Sequence, residues 1–283
     1  MMIKPNRRAF LAGSSLASIG LLAGCAPSGK IDDAATSAAS YTDMLGVQLY
    51  TVRSLFETDP QATLAALAEI GFKDLETAGL FDHKASDIKL MMDDLGLVSR
   101  SSHVRLPWLR EDMGKVIEDA TALGQSKLYL GWIPDEERTP DRYRALADLL
   151  NSTGEQAKAA GMMMGYHNHE FEFIEQDGTT GYDILLERTD PELVTMELDF
   201  FWAAEAGKDP LEIFKSAPGR FSSVHIKDRT TSGEMVAVGD GAIDFKTLLP
   251  LAQEAGVERF YVEHDEPEDP LVSVGRSYTY LTS

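Results

Sequence analysis

Apolar positions along this chain alternate between two rhythms. One is helical: Leu64, Leu67, Ala68 and Ile70 follow Asp59-Pro60, and Tyr143, Leu146, Leu149 and Leu150 follow Thr139-Pro140, at intervals of three and four residues. The other is the short continuous run, such as Leu128-Tyr129-Leu130 or Phe260-Tyr261-Val262, expected of strands buried on both faces. Punctuation separates them. Asp59-Pro60, Thr139-Pro140 and Asp209-Pro210 each set a side-chain cap before a proline suited to the first helical position. Gly71, Gly96, Gly124, Gly161 and Gly256 each stand where a helical segment gives way to a strand, the place for a residue that tolerates left-handed backbone.

The strand cores read as Leu45 to Tyr50, Lys73 to Thr77, Leu97 to Ser102, Lys127 to Gly131, Met162 to His167, Leu193 to Asp199, Ser222 to Lys227 and Arg259 to Glu263. Eight strands alternating with helices predict an α/β fold, a single-domain (β/α)8 TIM barrel over residues 43–283. No Gly-x-Gly-x-x-Gly turn supports an open nucleotide-binding sheet.

Composition narrows the partners. Lys+Arg 26 against Asp+Glu 46 gives a net charge of −20, which opposes binding to nucleic-acid phosphates or anionic lipid head groups. The first residues read as an export signal: Lys4 and Arg7-Arg8 form a charged head before the modestly apolar stretch Phe10 to Leu22. Asn6-Arg7-Arg8-Ala9-Phe10-Leu11 resembles a twin-arginine signal, and Leu22-Ala23-Gly24-Cys25 resembles a bacterial lipobox. Cys25 is the only cysteine, so no intrachain disulfide forms, and the motif makes it the expected lipidation site. Residues 1–25 are then a signal and 26–42 a flexible tether. The expected protein is exported, faces the periplasm, and touches the membrane only through its N-terminal lipid.

Candidate chemistry follows from the barrel, whose sites lie at the carboxyl ends of the strands. Gln48 and Tyr50, Glu76, His103, Trp132, His167 and His169, Asp199 and Trp202, His225 and Lys227, and Glu263 with His264 stand there. Four of the six histidines fall at the third, fifth and seventh strands. His167, Asp199, His225 and Glu263 come from the last four strands at spacings of 32, 26 and 38 residues, about one strand–helix unit each. Two imidazoles and two carboxylates suit one divalent ion, manganese, zinc, iron or cobalt rather than magnesium or calcium.

The stretches Leu45 to Arg53, Tyr166 to Phe173, Glu197 to Trp202, His225 to Asp228 and Val262 to Asp265 resemble the sugar isomerase/epimerase family with the xylose isomerase-like barrel. The resemblance implies one divalent metal, manganese foremost, held by a Glu, Asp, His, Glu set against vicinal oxygens of a keto sugar. Here His167 stands where ketose epimerases have the first glutamate, while Asp199, His225 and Glu263 match the other three. Trp202 replaces a substrate-binding histidine. Because those epimerases use a pair of glutamates as opposed bases, the symmetrical mechanism does not carry over.

The expected activity is proton abstraction beside a metal-bound carbonyl of a keto sugar or 3-keto-glycoside, ending in isomerisation, epimerisation or β-elimination. Glu263, His169 and Lys227 are the expected catalytic residues, with His103 sharing the role of Lys227. Gln48, Tyr50, Glu76, His103 and Trp202 are the expected substrate contacts, and Glu170 and Glu172 are placed to orient the two histidines beside them. The competing reading is a periplasmic lipoprotein that binds sugars without turnover. A barrel nuclease would need more histidines and a basic groove.

Overall fold

A computed structural model describes residues 40–283. The signal, Cys25 and the tether up to residue 39 lie outside the described residues. Eight parallel strands close into a barrel: β1 (Leu45–Gln48), β2 (Asp74–Thr77), β3 (Val98–Val104), β4 (Lys127–Leu130), β5 (Met163–His167), β6 (Val194–Asp199), β7 (Phe221–Ile226) and β8 (Arg259–Val262), with β8 pairing β1. Asp59 Oδ1 accepts the amide of Ala62 at 3.0 Å, the cap expected of the Asp-Pro pair. The glycines after the helices take positive φ, 67° at Gly96 and 79° at Gly124, which ends each helix and turns the chain back toward the barrel.

The first strand is shorter than its apolar run. Gln48 turns its side-chain oxygen back to accept the Tyr50 amide at 3.1 Å, so Leu49–Val52 winds into a 3-10 turn and Tyr50 leaves the sheet. Two small hairpins, Glu175–Gln176 with Thr179–Thr180 and Asp228–Arg229 with Met235–Val236, extend the loops after β5 and β7 and carry too few residues to show a period.

The apolar core lies between barrel and helices, not inside the barrel. Val47, Leu75, Leu128, Leu130, Met164, Met196, Leu198, Val224, Ile226, Phe260 and Val262 are buried strand residues. At roughly 1.5–3 kcal/mol per fully buried large apolar side chain, this layer supplies the main drive to close the fold. The residues that alternate with them face inward and are polar: Gln48, Glu76, Ser101, Glu197, Ser223 and His225 are all buried. Leu128-Tyr129-Leu130 and Phe260-Tyr261-Val262 look uniformly apolar because their inward residue is a tyrosine. The Tyr129 hydroxyl accepts from Ser223 Oγ at 2.7 Å and lies 2.8 Å from Ser222 Oγ. Gly46 leaves room for Tyr261, whose ring a Cβ there would approach to 2.6 Å. Among the described residues no helix is long and apolar enough to cross a membrane.

Candidate active site

Register puts the ends of β5 to β8 at one level. His167 pairs with Glu197, Asp199 with His225, and Ile226 with Val262, one residue before Glu263. The pairing of β6 with β7 shifts between Met196 and Glu197, an irregularity that re-aims the residues after it. Asn168 Oδ1 accepts the Asp199 amide at 3.1 Å and ties the two strand ends together. Asp199 also caps the helix Phe200–Glu205, its Oδ1 accepting from the Trp202 amide at 3.0 Å. Its other oxygen, Oδ2, is buried and makes no hydrogen bond.

That oxygen marks the centre of the site. His167 Nε2 lies 3.7 Å from it and Lys227 Nζ 3.1 Å. Lys227 Nζ also stands 2.9 Å from Glu263 Oε2 and 2.9 Å from Asp265 Oδ1, an ammonium with only 2% exposure among three carboxylates. Burial works against its charge, but Asp199, Glu263 and Asp265 outweigh burial and hold its pKa well above the ordinary lysine value. Glu263 is held well below the carboxylate range because Lys227 and His225 outweigh the opposing effect of burial. Asp199 is pushed up to about 6 by burial, against the pull of Lys227 and His225.

Beneath lies Glu197, to which the sequence reading assigns no role. Its Oε2 is 2.7 Å from His103 Nε2, 3.2 Å from His167 Nδ1 and 3.1 Å from His225 Nε2, and its Oε1 accepts from Ser223 Oγ at 2.7 Å. Three imidazoles converge on one carboxylate oxygen, which fixes their ring orientations from below. His225 spans two levels: Nε2 faces Glu76 Oε1 at 2.6 Å and Glu197, while Nδ1 faces Glu263 Oε2 at 2.6 Å. Burial alone would depress His225, but Glu197 and Glu263 outweigh it and raise its pKa well above the ordinary value. Burial likewise opposes charge on His103, and Glu76 and Glu197 still lift it to about 9. His167 goes the other way, because burial and the charge on His225 outweigh the Glu197 contact.

The donor set fits a divalent cation. Donor atoms of Asp199, His225 and Glu263 lie within 4.8 Å of one another, and His167 adds an imidazole nitrogen 3.7 Å from Asp199 Oδ2. His103, His167, Glu197 and His225 form a second set sharing His225. In the upper set Asp199 Oδ2 and Glu263 Oε2 are met by the Lys227 ammonium, and the histidines have their remaining nitrogens on the lower carboxylates, an arrangement that suits metal-binding imidazoles. The two carboxylates and two imidazoles suit a borderline ion and leave its identity open.

The family model of the xylose isomerase-like TIM barrel matches residues 39–276. The chain belongs to that family. A sugar phosphate isomerase/epimerase from Parabacteroides distasonis ATCC 8503 shares 30% identity with a TM-score of 0.75, the match covering 88% of this chain and 96% of that one. Inosose dehydratase from Lacticaseibacillus casei is 29% identical over 150 residues, 47% of this chain and 49% of that protein. The chain thus spans about half the length of the curated relatives it matches. With 3-keto-D-glucoside 4-epimerase from E. coli, at 16% identity and a TM-score of 0.67 over 84% of this chain and 98% of that one, the likeness is one of fold.

Within this xylose isomerase-like barrel the remaining candidates separate into levels. Gln48 and Glu76 are both wholly buried, and Gln48 Nε2 donates to Glu76 Oε1 at 2.7 Å. They lie with Glu197 under the candidate donor set and brace it. Tyr50 is exposed on the rim beneath the Arg53 guanidinium, 4.0 Å from its ring centroid. His264 turns away to Ser273 Oγ at 2.9 Å. His169 and Trp202 face each other at 5.3 Å, and His169 Nδ1 and Trp202 Nε1 are both buried without hydrogen-bond partners. Burial, then the charge on Lys227, depresses the His169 pKa well below its usual value. Glu172, fully buried, accepts the His169 amide at 2.7 Å and the Tyr166 hydroxyl at 2.5 Å, so it fixes the backbone that carries His169. Glu197 was legible in principle, since it stands two residues before Asp199 and shares its inward face.

Proposed function

We propose that this chain is a divalent-metal-dependent carbohydrate enzyme that abstracts the proton alpha to the carbonyl of a keto sugar or 3-keto-glycoside and expels an oxygen from the β-carbon. The observation that carries this reading is the pair of unpartnered polar atoms beside the Asp199, His225 and Glu263 donor set. His169 Nδ1 and Trp202 Nε1 are buried with no hydrogen-bond partner. Buried polar atoms are rarely left so without a ligand to meet them.

His167, Asp199, His225 and Glu263 are the residues that would hold the ion. When bound, it would supply electrophilic stabilisation of the negative charge that develops on the substrate's carbonyl oxygen. His169 accepts the proton from carbon at Nδ1, its ring fixed by Trp202 and by Phe171, which stacks on it at 5.3 Å and 8°. Lys227, held by Asp199, Glu263 and Asp265, donates toward the departing oxygen. An imidazole base with an ammonium acid is an asymmetric pair. It suits elimination better than the return of a proton to the opposite face, which calls for two equivalent bases. Similarity to inosose dehydratases favours the same outcome. Manganese is the expected ion, and export with lipidation at Cys25 places the enzyme where free glycosides and keto sugars are met.

The test is incubation with an inosose and with 3-keto-glucosides in deuterium oxide, with metal content measured on protein purified without chelator. Deuterium entering the alpha position of the recovered substrate, together with formation of an unsaturated ketone, supports the reading. His169→Gln should abolish both while retaining metal, and His225→Ala should lose the metal. Absence of exchange and of product with all these substrates, from metal-replete protein, overturns it.

A further inference from the structure

Outward residues of neighbouring strands fall into rows around the barrel, and one row thins at β2 and β3. In register it runs Thr77, Ser102, Leu128, Met164 and Val194. Leu128, Met164 and Val194 are fully buried against the helices, whereas Thr77 and Ser102 bring only a short hydroxyl-bearing side chain each. Ser102 keeps 8% exposure and Val104 6%, where Leu128 and Leu130 of the next strand have none.

The helix Met113–Leu123 covers this gap without filling it. Val116, Ala120 and Leu123 recur on one of its faces, and Ala120 puts a methyl where a larger side chain would close the space. What remains is a cavity of about 290 Å³, lined by Ser102, Val104, Val116, Ala120, Leu123 and Gln125 among others. An apolar cavity of about half that volume already holds benzene. A void costs stability in proportion to its volume, so an empty one of this size works against the fold.

The wall is polar in one place and charged only at the mouth. Gln125 Nε2 lies 2.9 Å from Thr77 Oγ1, 2.7 Å from Ser99 Oγ and 3.0 Å from the carbonyl of Ser101, which fixes the amide, and Ser102 adds a hydroxyl to the same lining. Lys115 and Asp119 pair with each other on the helix surface. With Gly79, Leu80 and the half-exposed Trp108 they also line a wider cleft of about 740 Å³, which gives the cavity a way to solvent. His103 borders the cavity, but the cavity lies between strands and helix, outside the barrel that encloses the donor set.

We propose that this cavity is a binding site for a compact neutral alcohol or phenol, its apolar body against Val104, Val116 and Leu123 and its hydroxyl on Ser102. Apolar walls with a few placed polar groups are what small-molecule sites offer. The occupant is neutral because the charges at the mouth already pair with each other, and burying an unpaired ion is costly. The site stands whether or not the reaction proposed above is right.

The probes are 4-ethylphenol and ethylbenzene, which differ only in the hydroxyl, titrated calorimetrically into the purified protein. Saturable one-to-one binding of 4-ethylphenol is expected, with nuclear Overhauser contacts from its ring protons to the methyl groups of Val104, Val116 and Leu123. Ser102→Ala should weaken 4-ethylphenol about fivefold, the scale of one hydrogen bond, and leave ethylbenzene unchanged. Ala120→Phe, which fills the cavity, should abolish binding of both while Tm holds or rises. Absence of saturable binding, binding without contacts to those methyl groups, equal effects of Ser102→Ala on the two compounds, or binding that survives in a folded Ala120→Phe protein overturns the inference. Should Ala120→Phe fail to fold, the methyl contacts and Ser102→Ala decide.

Discussion

Replacing Glu197 by glutamine tests whether the buried carboxylate organises the site. Glutamine keeps the size and an acceptor for Ser223 Oγ, but it removes the charge from the point where His103, His167 and His225 lie at 2.7, 3.2 and 3.1 Å. Glu76 remains for His225 at 2.6 Å and His103 at 3.2 Å, so the imidazoles are not left entirely unpaired. A broken buried ion pair costs about 3–5 kcal/mol when nothing else takes over. With Glu76 present the lower end, about 3 kcal/mol, is the expectation, a fall of roughly 6–12 °C in Tm for a domain of this size. Metal affinity should weaken about 10–100-fold, because the carboxylate that orients His167 and His225 from behind is gone. Calorimetric titration with manganese and thermal unfolding of the metal-free protein read the two effects separately. Glu258→Gln is the control, since its exposed pair with Lys127 should be worth less than about 1 kcal/mol. If Glu197→Gln resembles that control in both assays, the organising role is wrong.

Three further outcomes follow from other parts of the molecule. Glu172 has its pKa raised from 4.5 to about 7, chiefly by burial. The fold therefore favours the protonated acid: its contribution is fully present below about pH 4.5 and is lost as pH rises through about 7, a span of about 3 kcal/mol. Glu172→Gln should flatten the drop in Tm between pH 5 and pH 8, and an unchanged slope would remove Glu172 as its source. Gly46→Ala places a Cβ 2.6 Å from the Tyr261 ring and 2.9 Å from the Asp74 carbonyl, so overpacking should cost about 1–3 kcal/mol in urea unfolding. A stability equal to that of the original protein would mean that the inward tyrosine layer is looser than described. For Cys25→Ser, cell fractionation should show the chain released from the membrane fraction, and retention there would argue against a lipid anchor.

Much of the fold is written in local pattern. Caps at Asp59, Thr139 and Asp209 and glycines at helix ends act within a few residues of backbone, so they are visible without knowing what packs on them. Their spacing fixes eight strand–helix units, and closure of a parallel sheet with helices outside follows. The same count brings His167, Asp199, His225 and Glu263 to adjacent strand ends, because hydrogen-bonded neighbours in the barrel are also neighbours in the chain order.

Tertiary structure decided the depth of each residue in the barrel. Strand order places Gln48, Glu76, Glu197 and His225 near the mouth, but only register and the irregularity at Met196–Glu197 show that the first three form a floor beneath the candidate donor set. It also decided that Tyr50 leaves the sheet, since a single side-chain bond from Gln48 outweighs an apolar run. A column of planar groups from Trp202 through His169, Phe171 and Arg138 to Trp132 joins residues that follow three different strands. Contacts of that kind depend on the loops meeting in space, and no periodicity in the sequence encodes them.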